Sequence, residues 1–139
     1  RIEAEPGQFV AQEQVEAFHA KHGYPIGTTP ALVDRALQDQ RIRFIGEELN
    51  ELDEAMGEEN LTDIADALAD LMYVVLGTAI VYGIDLQPIF TEVHKSNMTK
   101  DKLDPVTKKG GKGDGYEPPR IAELLLIQQT GLDGYGHGV

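Results

Sequence analysis

The sequence predicts an all-α fold, a helical bundle with two long central helices that carry facing carboxylates. Three observations carry this expectation. No stretch sustains the apolar–polar alternation of a half-buried strand. Helix start and stop residues recur along the chain. Two long segments, ending near Met56 and Gly83, repeat apolar residues at helical spacing.

The elements follow in order. In "GQFVAQEQVEAFHAKHG", Phe9, Val10, Val15 and Phe18 fall at near-helical spacing before Gly23. "YPIGTTP" reads as a loop. Thr29 is a candidate N-cap with Pro30 at the first helical position, which predicts a long helix from there to about Met56, stopped by Gly57. Asn60 or Thr62 opens the next helix, which runs through "LMYVVLGTAIVYG" to Gly83. Asp85 caps a fourth, "LQPIFTEVHKSNM", with Pro88 in its first turn. Residues 101–119 are rich in Gly, Pro and Lys without periodicity, and read as a loop that orders over a ligand or serves as a solvated linker. A short helix over 120–130 and a flexible tail over 131–139 complete the chain. The organisation is one helical domain over 1–120, with its core at 30–100.

Composition narrows the function. The chain has no cysteine, which excludes a disulfide framework and thiolate metal sites. The first ten residues are neither a secretory nor a transit peptide, and the apolar run 71–84 is shorter than the roughly 20 residues that cross a bilayer. The expected location is the cytoplasm. A net charge of −12 argues against a nucleic-acid polymer as partner, because phosphate backbones recruit Lys and Arg. The charge is also unevenly placed. Half of the 24 acidic residues lie between Asp34 and Asp70, whereas seven of the 12 Lys and Arg lie between Lys95 and Arg120. That asymmetry suits a metal at one end and a phosphate at the other, or plain solubility.

"GEELNELDEA" raises the choice between a solvated helix face and a set of ligands. On a helix Glu47, Glu48, Glu51 and Glu54 share an arc of roughly 120°, opposite Ile45, Leu49, Leu52 and Met56, with Glu48 between the two faces. On the following helix Asp63, Asp66 and Asp70 fall within about 60° of one another, and Val74, Gly77 and Val81 continue their stripe. Beyond Leu71 that helix is apolar nearly all round, so it is expected to be buried and to lead Asp70 into the core. Inward carboxylates neutralise or pair. No Lys or Arg lies on the stripe, which makes a divalent cation the simplest partner. Oxygen ligands without Cys or paired His favour Mg²⁺, or Mn²⁺, over zinc. The di-iron Glu-x-x-His pair and the EF-hand loop are both absent from the sequence.

Carboxylate-held Mg²⁺ usually works with substrate phosphates. In "EVHKSNMTK", Lys95, Asn97 and Lys100 lie at or beyond a helix end; alone they would complement the helix dipole, and beside a cation cluster they suit phosphate.

"GEELNELDEA", "DIADALADLMYVVLGTAIVYGIDL" and "IFTEVHKSNMTK" together resemble the MazG-like all-α nucleoside triphosphate pyrophosphohydrolases, over roughly residues 30 to 120. That superfamily includes dimeric dUTPases and phosphoribosyl-ATP pyrophosphohydrolases, and the likeness is nearest to its dUTPase-like bacterial and phage branch. Its pattern is EExxE on one helix and ExxD on the next. Glu47, Glu48 and Glu51 meet the first half, and Asp70 the end of the second. Ala67 stands where the pattern has Glu, so Asp66 or Asp63 must replace it; Asp66 is preferred because i and i+4 share a face. The resemblance implies hydrolysis of a nucleoside or deoxynucleoside triphosphate to the monophosphate and pyrophosphate. It implies Mg²⁺ on Glu48, Glu51, Asp70 and Asp66, with Glu47 holding a further metal or orienting water. Asn97 and Lys100 would contact phosphate or sugar beside Lys95, and Lys112 and Tyr116 would close over the nucleotide. Phe18 and His19 would flank the base, although a core Phe with a surface His is the plainer expectation. Two other readings stand beside this one: a non-catalytic acidic module that binds ions or partner helices, and a phosphoribosyl-ATP pyrophosphohydrolase. The apolar second central helix predicts a homodimer or a pair of dimers.

Overall fold

A computed structural model describes residues 10–131. They form five helices: α1 (Val10–His22), α2 (Arg35–Gly57), α3 (Leu61–Val81), α4 (Leu86–Asn97) and α5 (Ile121–Thr130). Among the described residues the only β pairing is an isolated bridge between Leu103 and Gly110, so the all-α expectation holds. Two compact units divide the described chain, one up to Ile84 and one from Asp85 onward.

In the first unit α3 packs against both α1 and α2. Its C-terminal half supplies the core: Leu76, Ala79, Ile80 and Val81 are buried, with Val15 of α1 and Leu52 and Ala55 of α2. Capping fixes the ends. Asn60 accepts from the Asp63 amide at 3.1 Å and starts α3. α2 ends one residue past the expected stop, with Gly57 its last residue and Glu58 its C-cap.

The start of α2 differs from the expectation. Thr29 does not cap it; Asp34 does, accepting from the Leu37 amide at 2.8 Å. The segment between is held along the end of α3, with the Gly27 amide donating to Ile80 O at 2.9 Å and the Ala31 amide to Tyr82 O at 3.0 Å. These long-range bonds, with Pro30 buried, keep residues 27–33 out of the helix and outweigh the local cap signal. Gly83 lets the chain pass this close, because it turns at φ 70° against the backbone of Thr29.

The α3 expectation also needs correction. Met72, Tyr73 and Val75 are exposed, so the apolar surface beyond Leu71 is only partly covered. By length and composition alone α3 would suffice to cross a membrane, although the run 71–84 alone is too short.

In the second unit Asp85 caps α4, accepting from the Gln87 amide at 3.2 Å. Its backbone amide and carbonyl are bridged to α5 by the Gln128 side chain, each at 2.9 Å. Residues 101–119 are not a plain linker. Asp104 Oδ1 accepts from the Val106 and Thr107 amides, and the Asp101 amide donates to Gly111 O at 2.8 Å, so the loop holds itself through its own aspartates.

Candidate functional site

The packing of α2 on α3 gathers carboxylates. Glu48, Glu51 and Asp70 each place one oxygen within 4.8 Å of the others, the spacing that one cation can bridge. Helical periodicity explains the set. Glu48 and Glu51 are one turn apart on α2, and Asp70 is the point at which the acidic stripe of α3 reaches the helix interface.

The cluster is electrostatically strained. Burial pushes the Glu48 carboxyl above its ordinary value, and the nearby charges of Glu51, Asp70 and Glu47 push it further; a hydrogen bond with Glu51 also favours the protonated form. Asp70 is raised by burial, then by Asp66 and Glu51. Glu48 Oε2 is sealed from solvent and, among the described residues, is the one buried side-chain polar atom with no hydrogen-bond partner. An acceptor-only oxygen in that position fits a cation.

The other predicted ligands lie differently. Asp66 is exposed and close enough to raise Asp70, but is not in the trio. With Asp63, Glu51, Glu54 and Glu58 it lines a second, acidic cavity of about 180 Å³ beside Ala67. Ala67 is buried and offers no oxygen. Glu47 is not one of the trio; it is exposed and pairs with Arg43 at 3.7 Å, while its charge still acts on Glu48.

Glu48 also borders a cavity of about 250 Å³, with Glu47 and Val74. Rings line the rest: Phe18, His19, Tyr24, Phe44 and Tyr73, joined by Arg41. Phe18 and Tyr24 stack at 5.6 Å, and Tyr73 meets Phe18 edge-on at 5.5 Å. The expected core Phe and surface His are inverted: His19 is 3% exposed and Phe18 38%. The inversion follows from a hydrogen bond, since His19 Nδ1 donates to Pro25 O at 2.9 Å and its polar cost of burial is met.

Arg41 is the residue that sequence reasoning missed. It is 4% exposed, donating through Nε to Thr78 Oγ1 at 3.1 Å and through Nη2 to Val74 O at 3.0 Å. Its guanidinium lies 5.1 Å from the Phe44 ring centroid. Burial holds it below its ordinary pKa, with Tyr24 acting in the opposite direction. Gly77 makes room: a Cβ there would lie 2.6 Å from Arg41 Nη2 and 2.9 Å from His19 Nε2. A glycine inside an apolar helix was the available signal.

In the second unit, Lys95 and Asn97 are exposed on the last turns of α4. Lys95 borders a cavity of about 600 Å³ with Glu92, Ser96, Glu117 and Arg120. Lys100 is partly buried and runs alongside Gly110. Lys112 sits 5.3 Å over the Tyr116 ring, so these two predicted nucleotide contacts engage each other.

Comparison with known proteins gives two matches. An uncharacterized protein of Acanthamoeba polyphaga mimivirus is 37% identical over 78 residues, covering 53% of this chain. The chain spans only 31% of that relative's length. Residues 15–97 match the family described as phosphoribosyl-ATP pyrophosphohydrolase. That match takes in more than half of the chain, with every carboxylate of the trio and every ring of the adjoining cavity, and the chain belongs to the phosphoribosyl-ATP pyrophosphohydrolase family.

Proposed function

We propose that the protein hydrolyses a nucleoside or deoxynucleoside triphosphate to the monophosphate and pyrophosphate, with Mg²⁺ or Mn²⁺ as cofactor. One observation carries the reading: Glu48 belongs both to the carboxylate trio and to the wall of the ring-lined cavity. A base seated among the rings thereby has its phosphates directed toward the trio. Aromatic faces bind any base by stacking. Glu48, Glu51 and Asp70 would hold the cation, and Asp66 would add negative charge beside Asp70. A bound dication neutralises phosphate oxygens, polarises phosphorus and lowers the pKa of water. Glu47, on the cavity wall and outside the trio, is the group we assign to orienting the attacking water.

A second reading, phosphoribosyl-ATP pyrophosphohydrolysis, is favoured by the family match itself. The two are separated by assaying pyrophosphate release from a panel of NTPs, dNTPs and phosphoribosyl-ATP with Mg²⁺, repeated in EDTA. Turnover of the simple triphosphates, abolished by EDTA, supports the proposal. Turnover of phosphoribosyl-ATP alone selects the second reading, and no turnover on any nucleotide defeats both.

We also propose self-association through α2 and α3. Each carries exposed apolar residues at seven-residue spacing, Ile42, Leu49 and Met56 on one and Leu61, Leu68 and Val75 on the other. This spacing suits helix–helix seams. A monomeric mass by light scattering would refute this part.

A further inference from the structure

We propose that Arg41 and His19 make the ring-lined cavity selective for bases with a lactam edge, a ring carbonyl beside a ring N–H. The proposal deepens the pyrophosphohydrolase reading, on which it rests for identifying the cavity's occupant as a base. A guanidinium has five N–H donors and no acceptor. Thr78 Oγ1 and Val74 O take two of them, and among the described residues no further hydrogen bond uses the others. His19 has the opposite character. Pro25 O is an acceptor, so the Nδ1 bonded to it carries a proton, and in the neutral tautomer with that proton Nε2 is the acceptor.

Donor and acceptor approach the same point on α3. Arg41 Nη2 and His19 Nε2 both lie within 2.9 Å of the point where Gly77 would carry a Cβ. Both residues line the cavity. Their complement is an acceptor next to a donor: the 4-carbonyl and N3–H of uracil or thymine, or the 6-carbonyl and N1–H of guanine or hypoxanthine. Cytosine and adenine carry an amino group in place of that carbonyl and a bare nitrogen in place of that N–H. Against them donor would face donor and acceptor would face acceptor. Buried polar groups left unpaired discriminate strongly. Adenine, the base of the compound for which the family is named, is thus on the disfavoured side.

The test compares matched pairs, inosine against adenosine and uridine against cytidine. Each pair differs only at the edge in question and holds ring size constant. Binding of each nucleoside to the full chain is measured in EDTA by tyrosine fluorescence or NMR titration, so neither phosphates nor cation contribute. The expected result is that the oxo member of each pair binds at least about tenfold more tightly, the discrimination typical of one well-formed base contact. Arg41→Lys, checked for helicity, should reduce that ratio toward one. Equal affinities in both pairs, a preference for the amino members, or no binding of any nucleoside would overturn the proposal. Because the wild-type comparison suffices, a poorly folded variant does not decide it. Oxo discrimination without triphosphate hydrolysis would sink only the pyrophosphohydrolase reading. Hydrolysis without discrimination would sink only this one.

Discussion

Glu48 of α2 and Asp70 of α3 bring carboxylate oxygens within 4.8 Å of each other, with Glu51 completing the group. Like charges at this separation repel, and both carboxyls are raised by burial and by their neighbours. The arrangement suits the cation proposed above, which would offset this repulsion. Glu48→Gln or Asp70→Asn should therefore leave helicity by circular dichroism intact. Each should lower cation-dependent pyrophosphate release by roughly 100-fold or more, since even residues behind the ligands of a metal commonly contribute 10–100-fold. Isosteric variants that retain full turnover would remove the trio from the reaction.

The same shifts give a pH dependence. A carboxyl whose pKa is raised on folding binds protons in the folded state that the unfolded chain has already released. Its stabilising protonation is therefore present below the ordinary carboxylate range and lost as pH rises through the raised value. In EDTA, the stability difference between Glu48→Gln and wild type should widen in the variant's favour as pH climbs from about 4 toward neutrality. Saturating Mg²⁺ should reverse the order at neutral pH, because only the wild type gains the full binding energy. Urea midpoints at several pH values measure both effects. A difference independent of pH would mean that Glu48 is not strained.

Much of this site was legible in the sequence because helical periodicity is local. Spacing places Glu48 and Glu51 on one arc of α2 and Asp70 on the acidic stripe of α3, and the family resemblance names them together as ligands. The inversion of Phe18 and His19 was not legible, because His19 is buried by a bond to the Pro25 carbonyl in a turn whose path no periodicity reveals. Arg41 was hidden for a related reason. Its partners Thr78 and Val74 are more than 30 residues away, and only the register of α2 on α3 brings them together. The Thr29–Pro30 cap signal failed because bonds from Gly27 and Ala31 to the end of α3 compete with it. Local chemistry gave the helices and the acids; long-range packing gave the ring-lined cavity.

Two glycines make a paired test of that packing. Gly46 on α2 has open space where a Cβ would go, so Gly46→Ala should stabilise by about 0.5–1 kcal/mol through helix propensity alone. Gly77→Ala carries the same propensity gain, but its methyl would lie 2.6 Å from Arg41 Nη2 and 2.9 Å from His19 Nε2. Overpacking of this kind costs roughly 1–3 kcal/mol. The net effect should be destabilising, with opposite signs for the two variants in chemical denaturation. Stabilisation by both would show that Arg41 and His19 yield freely.

Ala67 offers the sharpest probe of the acidic helix. It is buried, and beside it lies the cavity of about 180 Å³ bordered by Glu51, Asp63 and Asp66. Ala67→Glu would add a carboxylate to a wall that is already acidic. Without cations the variant should be less stable than wild type, because a partly desolvated charge gains only repulsive neighbours. With Mg²⁺ or Mn²⁺ the added oxygen becomes a candidate ligand, so the cation should raise the melting temperature of the variant more than that of wild type. Asp66→Ala should do the reverse, weakening the cation response if Asp66 serves in place of the missing Glu. Thermal melts of the three proteins across a cation titration compare them directly. An Ala67→Glu chain destabilised equally with and without cation would place residue 67 beyond the reach of the bound ion.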